Sequence, residues 1–272
     1  MEWNTWLNAL AFLVLALMVA GKLSPVIKFY IKQTFIVVSL VMTGALSIPY
    51  GLLNFRDPHK IQKFTAWVLK PASWILGVDW HIHFKSPHDQ TKSHMFVCNH
   101  QSALDVIGML QLWPLIMPCF TTAKKELKYA GPFGLILYLC GTIFVDRMSS
   151  EKGRKAVNEA GQMARETGSS IWVFPEGTRN HKRDGSMLPF KKGAFHVAVV
   201  SRLPVVPVIM SEYDFYDTNR KFFRSGHAHI TVLDPIPIED YPAEDPTSVA
   251  RLLEKSREIM LEAIGNNNKK HH

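Results

Sequence analysis

The stretch "HMFVCNHQSALDVIGMLQL", residues 94–112, changes character halfway. Residues 94–98 form a short, mostly apolar run with aromatic and β-branched members, the pattern of a buried strand. From Ser102 onward the sequence reads as a helix. Ser102 stands at its N-cap and Asp105 at the fourth letter of an S-x-x-D capping box. Asn99 and His100 then fall on a strand-to-helix turn, where α/β sheets place their ligand sites. His100 and Asp105 lie five positions apart, and on one helix they would diverge by about 140° and never meet. The turn supplies the bend they need, so that the imidazole folds back onto the carboxylate. An acid held against one ring nitrogen fixes the tautomer and leaves the other nitrogen free to take a proton. A plain helix cap beside a structural histidine fits the same letters.

Working outward, similar apolar runs recur at 141–145 ("GTIFV"), 170–174 ("SIWVF"), 204–210 ("PVVPVIM") and 227–233 ("HAHITVL"). Helical patterns lie between them. Ala156, Ala160, Met163 and Ala164 follow the helical period, with Gly168 as terminator, and a second helix over 246–264 opens on Asp245-Pro246. This alternation predicts an α/β domain over 61–265, with a mostly parallel mixed sheet flanked by helices. The polar residues 266–272 read as a disordered tail.

The N-terminus differs in kind. Residues 6–21 and 35–53 carry no charge, and Lys22, Lys28 and Lys32 separate them. They predict a two-helix membrane-anchoring segment over 1–60. Residues 61–78 mix tryptophans, apolar residues and lysines, as an interfacial helix pair broken at Pro71 or as an ordinary core helix.

A net charge of +8 on 272 residues suggests polyanionic partners. Nucleic acid would rest on that charge alone and is not expected. Three cysteines without C-x-x-C spacing argue against a disulfide framework or zinc ribbon. Cys98 and His100 are i, i+2 on a strand end, which admits a Cys-His acyl-enzyme or lipid thioesterase as a rival. His81/His83 and His227/His229 are also i, i+2 pairs on apparent strands. No third ligand stands at motif spacing, so they read as strand histidines on a polar face and no metal is expected.

Two further stretches carry chemistry. "WVFPEGTRN" (172–180) leaves a strand for a glycine-containing loop, where backbone N–H groups can approach an anion and Arg179 can grip a phosphate. Arg179, Lys182, Arg183, Lys191 and Lys192 follow one another closely. Pro189 reads as the first residue of a helix, which puts Lys191 and Lys192 in its first turn, where a bound phosphate would offset the unfavourable dipole. In "GTIFVDR" (141–147), Arg147 leaves a strand end as a second candidate phosphate ligand. Lys124 and Lys125 lie upstream of it.

Together these blocks resemble the glycerophospholipid acyltransferase (PlsC-like) family, specifically its 1-acylglycerol-3-phosphate acyltransferases. The blocks are Asn99-His100-x4-Asp105, Gly141-x-Ile143-Phe144-x-x-Arg147, Phe174-Pro175-Glu176-Gly177-Thr178-Arg179 and "LPVVPV" at 203–208, in family order. The resemblance implies transfer of an acyl group from acyl-CoA to the sn-2 hydroxyl of lysophosphatidic acid. Another lysophospholipid or glycerol 3-phosphate is the alternative acceptor. It implies His100 as base and Asp105 as its orienter. It further implies Glu176, Gly177, Thr178 and Arg179 as acceptor-binding residues, with Arg147 on the phosphate. Lys124, Lys125, Lys191 and Lys192 would serve that phosphate or those of CoA. Acyl-CoA is then a co-substrate, no cofactor or metal is required, and the partner surface is the lipid bilayer. Lys269 and Lys270 match a dilysine retrieval signal, consistent with an endoplasmic reticulum membrane protein whose catalytic domain faces the cytosol. A non-catalytic protein that only binds anionic lipid is the remaining rival.

Overall fold

A computed structural model describes residues 6–9, 11–14, 16, 24–146 and 150–270, with backbone only at 150–158 and 266–270. Its strands are β1 (Val78–Phe84), β2 (Met95–Cys98), β3 (Cys119–Lys124), β4 (Ile143–Val145), β5 (Ser170–Val173), β6 (Val205–Met210), β7 (Tyr216–Asp217), β8 (Phe222–Phe223) and β9 (Gly226–Val232). Its helices are α1 (Pro25–Leu53), α2 (Pro58–Leu76), α3 (Leu104–Ile116), α4 (Gly131–Leu139), α5 (Ser150–Thr167), α6 (Lys192–Ser201) and α7 (Ser248–Lys270). The main sheet has the order β1-β9-β6-β2-β5-β3-β4, and β7 pairs with β8 in a separate ribbon. From β6 to β4 every pairing is parallel. β9 runs antiparallel to β6, and β1 runs parallel to β9. This is the mostly parallel mixed sheet expected.

Both faces of the sheet are covered, which is why its strands read as continuous apolar runs rather than alternating ones. Phe96 and Cys98 pack with Val206, Val208 and Trp172 beneath α2 and α3. Their neighbours Met95 and Val97 point the other way, into a second core with Ile171, Ile209, Phe195 and Leu252 under α5, α6 and α7. Strand β3 was not anticipated, and it carries Lys124 at its last position. Residues 266–270, read as part of the tail, continue α7 as helix.

Residues 6–9, 11–14 and 16 are helical, and the rest of segment 6–21 lies outside the described residues, as does Lys22. The second segment is longer than expected. Ser24 caps α1 through an Ile27 N–H bond (3.4 Å), so the helix takes in Lys28 and Lys32 rather than leaving them in a loop. Lys32 is used structurally: its Nζ donates to Leu76 O and to Arg224 O (3.3 Å) and lies 4.5 Å from the centre of the Phe223 ring. Among the described residues α1 alone is long and apolar enough to cross a bilayer. Helix α2 passes through Pro71 without a break. It buries Ile61, Ala66, Leu69, Ala72 and Leu76 against the domain and turns Trp67, Trp74 and Ile75 outward.

His94, buried just before β2, has an Nδ1 without a hydrogen-bond partner among the described residues and a ring centre 5.1 Å from that of His88. Burial, then the neighbouring His88, pulls its pKa down to about 4; burial lowers His88 as well. The unfolded chain takes up these protons near pH 6.5, and the folded chain resists until lower pH. Stability from this pair is therefore complete above about pH 6.5 and is lost as pH falls toward about 4. We expect the thermal midpoint in detergent to drop across that window and His94→Asn to flatten the drop; the same slope in the variant would refute the assignment.

Candidate active site

Asp105 sits in the first turn of α3 with its side chain fully buried. Its Oδ2 accepts from the backbone N–H of Gln101 (2.6 Å) and of Ser102 (2.9 Å). Its Oδ1 accepts from Ser102 Oγ (3.2 Å) and Tyr213 OH (3.0 Å). His100 completes the set, with Nδ1 2.7 Å from Oδ2. The bend inferred from the five-residue spacing is thus a tight turn whose amides point back at the carboxylate. Helix α3 starts at Leu104, with Ala103 rather than Ser102 at the cap position. Ser102 still serves the helix end, because its Oγ accepts from Leu104 N (3.0 Å). Burial, followed by the Asp105 charge, raises the Tyr213 pKa well above its ordinary value, so the phenol remains a donor.

The imidazole is fixed from a second direction. The Phe174 ring stacks on it with centroids 4.2 Å apart and planes within 20°. Among the described residues Nδ1 is its only hydrogen-bonding nitrogen, so Nε2 is left for a reactant. The His100 backbone is held too: its N–H donates to Glu176 Oε1 (2.8 Å) and its C=O accepts from Asn180 N (2.7 Å). Asn99 accepts from Met210 N (2.8 Å) and donates to Met210 O (3.0 Å), extending the β2–β6 ladder past the end of β2. His100, Asn99, Gln101 and Met210 all line one pocket at the C-terminal edge of the parallel strands.

The "EGTR" loop meets this pocket, though not as expected for every member. Glu176 is buried, and its other oxygen accepts from Leu188 N (2.8 Å). Both oxygens therefore hold backbone, and the residue ties two loops together instead of facing outward. Burial raises its pKa, while the two backbone N–H bonds pull the other way. Gly177 has φ +71°, and a Cβ there would come within 2.8–3.1 Å of the Lys191 side chain. Glycine is needed both for the turn and for Lys191 to lie across it. Thr178 and Arg179 are exposed, and Arg179 has no carboxylate at ion-pair distance among the described residues. Arg183 differs in this respect, being consumed by Glu212, Asp217 and Tyr213 O at 3.0, 3.0 and 2.7 Å.

Helix α6 begins at Lys192, not at Pro189, with Lys191 at its cap. Lys191 N donates to Pro175 O (2.8 Å), which holds residues 188–191 extended against the loop. Lys124 and Lys125 end β3 and open the next turn on the same edge of the sheet. Lys125 pairs with Asp146 at 3.3 Å, while Lys124 is exposed. Arg147 lies outside the described residues. Cys98 does not suit the nucleophile reading: it is fully buried, and burial with the nearby Asp105 and Glu176 charges raises its thiol well above the usual range. Phe174 and Asn99 stood within the sequence blocks without an assigned role. Tyr213 and Asn180 were missed, and Tyr213, 108 residues from Asp105, carries no local signal.

Residues 79–211 match the family model described as Acyltransferase. The chain is 36% identical over 239 residues to human 1-acyl-sn-glycerol-3-phosphate acyltransferase alpha, covering 88% of this chain and 82% of that one. It is 33% identical over 240 residues to the 1-acyl-sn-glycerol-3-phosphate acyltransferase of Saccharomyces cerevisiae, covering 87% and 77%. The crystal structure of the 1-acyl-sn-glycerophosphate (LPA) acyltransferase PlsC from Thermotoga maritima shares the fold. It superposes with a TM-score of 0.67 at 23% identity, over 89% of this chain and 94% of that one. With His100, Asp105 and the Glu176 loop meeting at the C-terminal edge of the parallel strands, this chain belongs to the PlsC-like acyltransferase family, in its 1-acylglycerol-3-phosphate acyltransferase group.

Proposed function

We propose that this enzyme transfers a fatty acyl group from acyl-CoA to the sn-2 hydroxyl of lysophosphatidic acid, giving phosphatidic acid. The observation that carries the proposal is the 2.7 Å contact between His100 Nδ1 and a wholly buried Asp105, with Nε2 left unbonded. A lipid alcohol is a poor nucleophile at neutral pH, so attack on a thioester gains from a base at its hydroxyl. His100 Nε2 takes the hydroxyl proton as the oxygen bonds to the thioester carbon. The C–S bond then breaks, and the imidazolium returns the proton to the departing thiolate. Asp105 steadies the charged ring while that proton is held.

Acceptor choice follows from the relatives' names and from the basic rim. Arg179 lies on the loop that Glu176 binds to the His100 backbone, and Lys191 ends the segment that Glu176 holds through Leu188 N. Lys124 and Arg147 are further candidates for a phosphate, of the acceptor or of CoA. The membrane end fits an insoluble substrate. Helix α1 is about 44 Å long at 1.5 Å per residue, more than the roughly 30 Å hydrocarbon core. Beside it an apolar groove is lined by Leu46, Phe64, Trp67, Val68, Trp74 and Trp80. These surfaces support a site at the bilayer, which we place at the endoplasmic reticulum with CoA arriving from the cytosol.

The test is CoA release by the purified chain with lysophosphatidic acid, glycerol 3-phosphate or another lysophospholipid as acceptor. Lysophosphatidic acid is expected to be preferred, His100→Ala to lose about 10²–10⁴-fold in turnover, and Cys98→Ala to keep it. Full activity in His100→Ala would end the proposal. For Glu176, the Gln variant sets an amide N–H₂ against one of two backbone donors, at a cost of about 1–3 kcal/mol. We expect kcat to fall with little change in KM for the acceptor. A raised KM with kcat intact would show instead that Glu176 touches the substrate.

A further inference from the structure

On the edge of the sheet away from β4, pairing of β1 with β9 joins two short sequences that are far apart in the chain. The parallel register sets Asp79 beside His227 and His81 beside His229. Trp80, Ile82, Ala228 and Ile230 face the core, so Asp79, His81, His83, His227 and His229 share the opposite face. Three of their atoms converge. His81 Nε2 is 3.0 Å from His227 Nδ1, and Asp79 Oδ2 is 3.2 Å from the first and 3.4 Å from the second. A second pair, His83 Nε2 and His229 Nδ1, lies alongside at 3.3 Å.

Hydrogen bonding accounts poorly for such a triangle. Each imidazole nitrogen brings at most one proton and the carboxylate only accepts, so in any tautomer at least one of the three contacts sets lone pair against lone pair or N–H against N–H. A cation at the centre satisfies all three. Donor atoms around a tetrahedral zinc, at about 2.0–2.1 Å from the metal, stand about 3.3–3.4 Å apart, close to the three separations observed. Two imidazoles and one carboxylate suit a borderline ion such as Zn²⁺ better than Mg²⁺ or Ca²⁺, which prefer oxygen. All three side chains are at least 39% exposed, so the ion can enter and water can complete its coordination.

We propose that Asp79, His81 and His227 form a binding site for a divalent transition metal of the Zn²⁺ class, which pins the edge strand β1 to β9. None of the three lines the pocket of His100, although Asp79 and His227 also line the apolar groove beside α1, and the proposal does not depend on which acceptor is used. The site was not legible earlier because its third ligand comes from a strand 146 residues away.

The experiment uses the full-length chain in detergent, stripped with chelator and titrated with Zn²⁺ and, for its visible spectrum, Co²⁺. Asp79→Asn/His227→Asn is compared with wild type and with His271→Ala/His272→Ala, which removes the tail histidines as competitors. Wild type and the tail variant are expected to bind one ion per chain, to give tetrahedral Co²⁺ bands and to gain thermal stability on loading. The strand variant should bind at least about tenfold more weakly, with the cooperative thermal unfolding of the metal-stripped protein retained as evidence of folding. No stoichiometric binding by wild type, equal affinity in the strand variant, or loss of binding in the tail variant would each overturn the site.

Discussion

A carboxylate removed from water has to be solvated by the protein, and at Asp105 that requirement organises everything near the reaction centre. Five donors converge on it: two amides of its own turn, a serine, a tyrosine and the His100 imidazole. Satisfying them dictates the sharp exit from β2, the late start of α3 and the approach of the segment after β6. A buried charge that lost one of these donors would be left under-compensated, a loss of about 1–3 kcal/mol or more. The imidazole's orientation is therefore inherited from the packing of the whole sheet edge. Stacking on Phe174 and the Asn99–Met210 clasp fix the remaining freedoms of the turn.

The N-terminal helix is tied into the same scaffold. Lys32 projects from a mostly apolar helix onto two carbonyls, one ending α2 and the other just before β9. Free C=O groups at a helix end need partners, and a lysine supplies them at long range. Phe29 and Ile36 are buried in the core beneath the sheet, so α1 is both a hydrophobic rod and a component of the domain.

Legibility followed the range of the interactions. The strand, turn and helix around His100 were readable because capping, periodicity and the bend all act within a dozen residues. The five-residue interval alone demanded a turn. Helix α6 was misplaced because its start is decided by a carbonyl at Pro175, sixteen residues earlier, which recruits Lys191 N. Lys28 and Lys32 looked like loop charges because nothing local shows where Lys32 finds its acceptors. Glu176 was placed on substrate, whereas its two oxygens hold backbone from separate loops. Tyr213 and the histidine ladder depend on strand pairing across more than a hundred residues, which no window of sequence displays.

The Glu176 bridge has one more consequence. Because a single carboxylate fastens the His100 backbone to the segment before Lys191, the imidazole and the cationic rim cannot drift independently. The span between them is a fixed gauge. In the proposed reaction, an acceptor is measured by the distance from its phosphoryl group to its hydroxyl, much as callipers admit one width. Regioselectivity would then be a property of this rigid jaw, while acyl length would be sorted elsewhere, among apolar walls that take no part in the measurement.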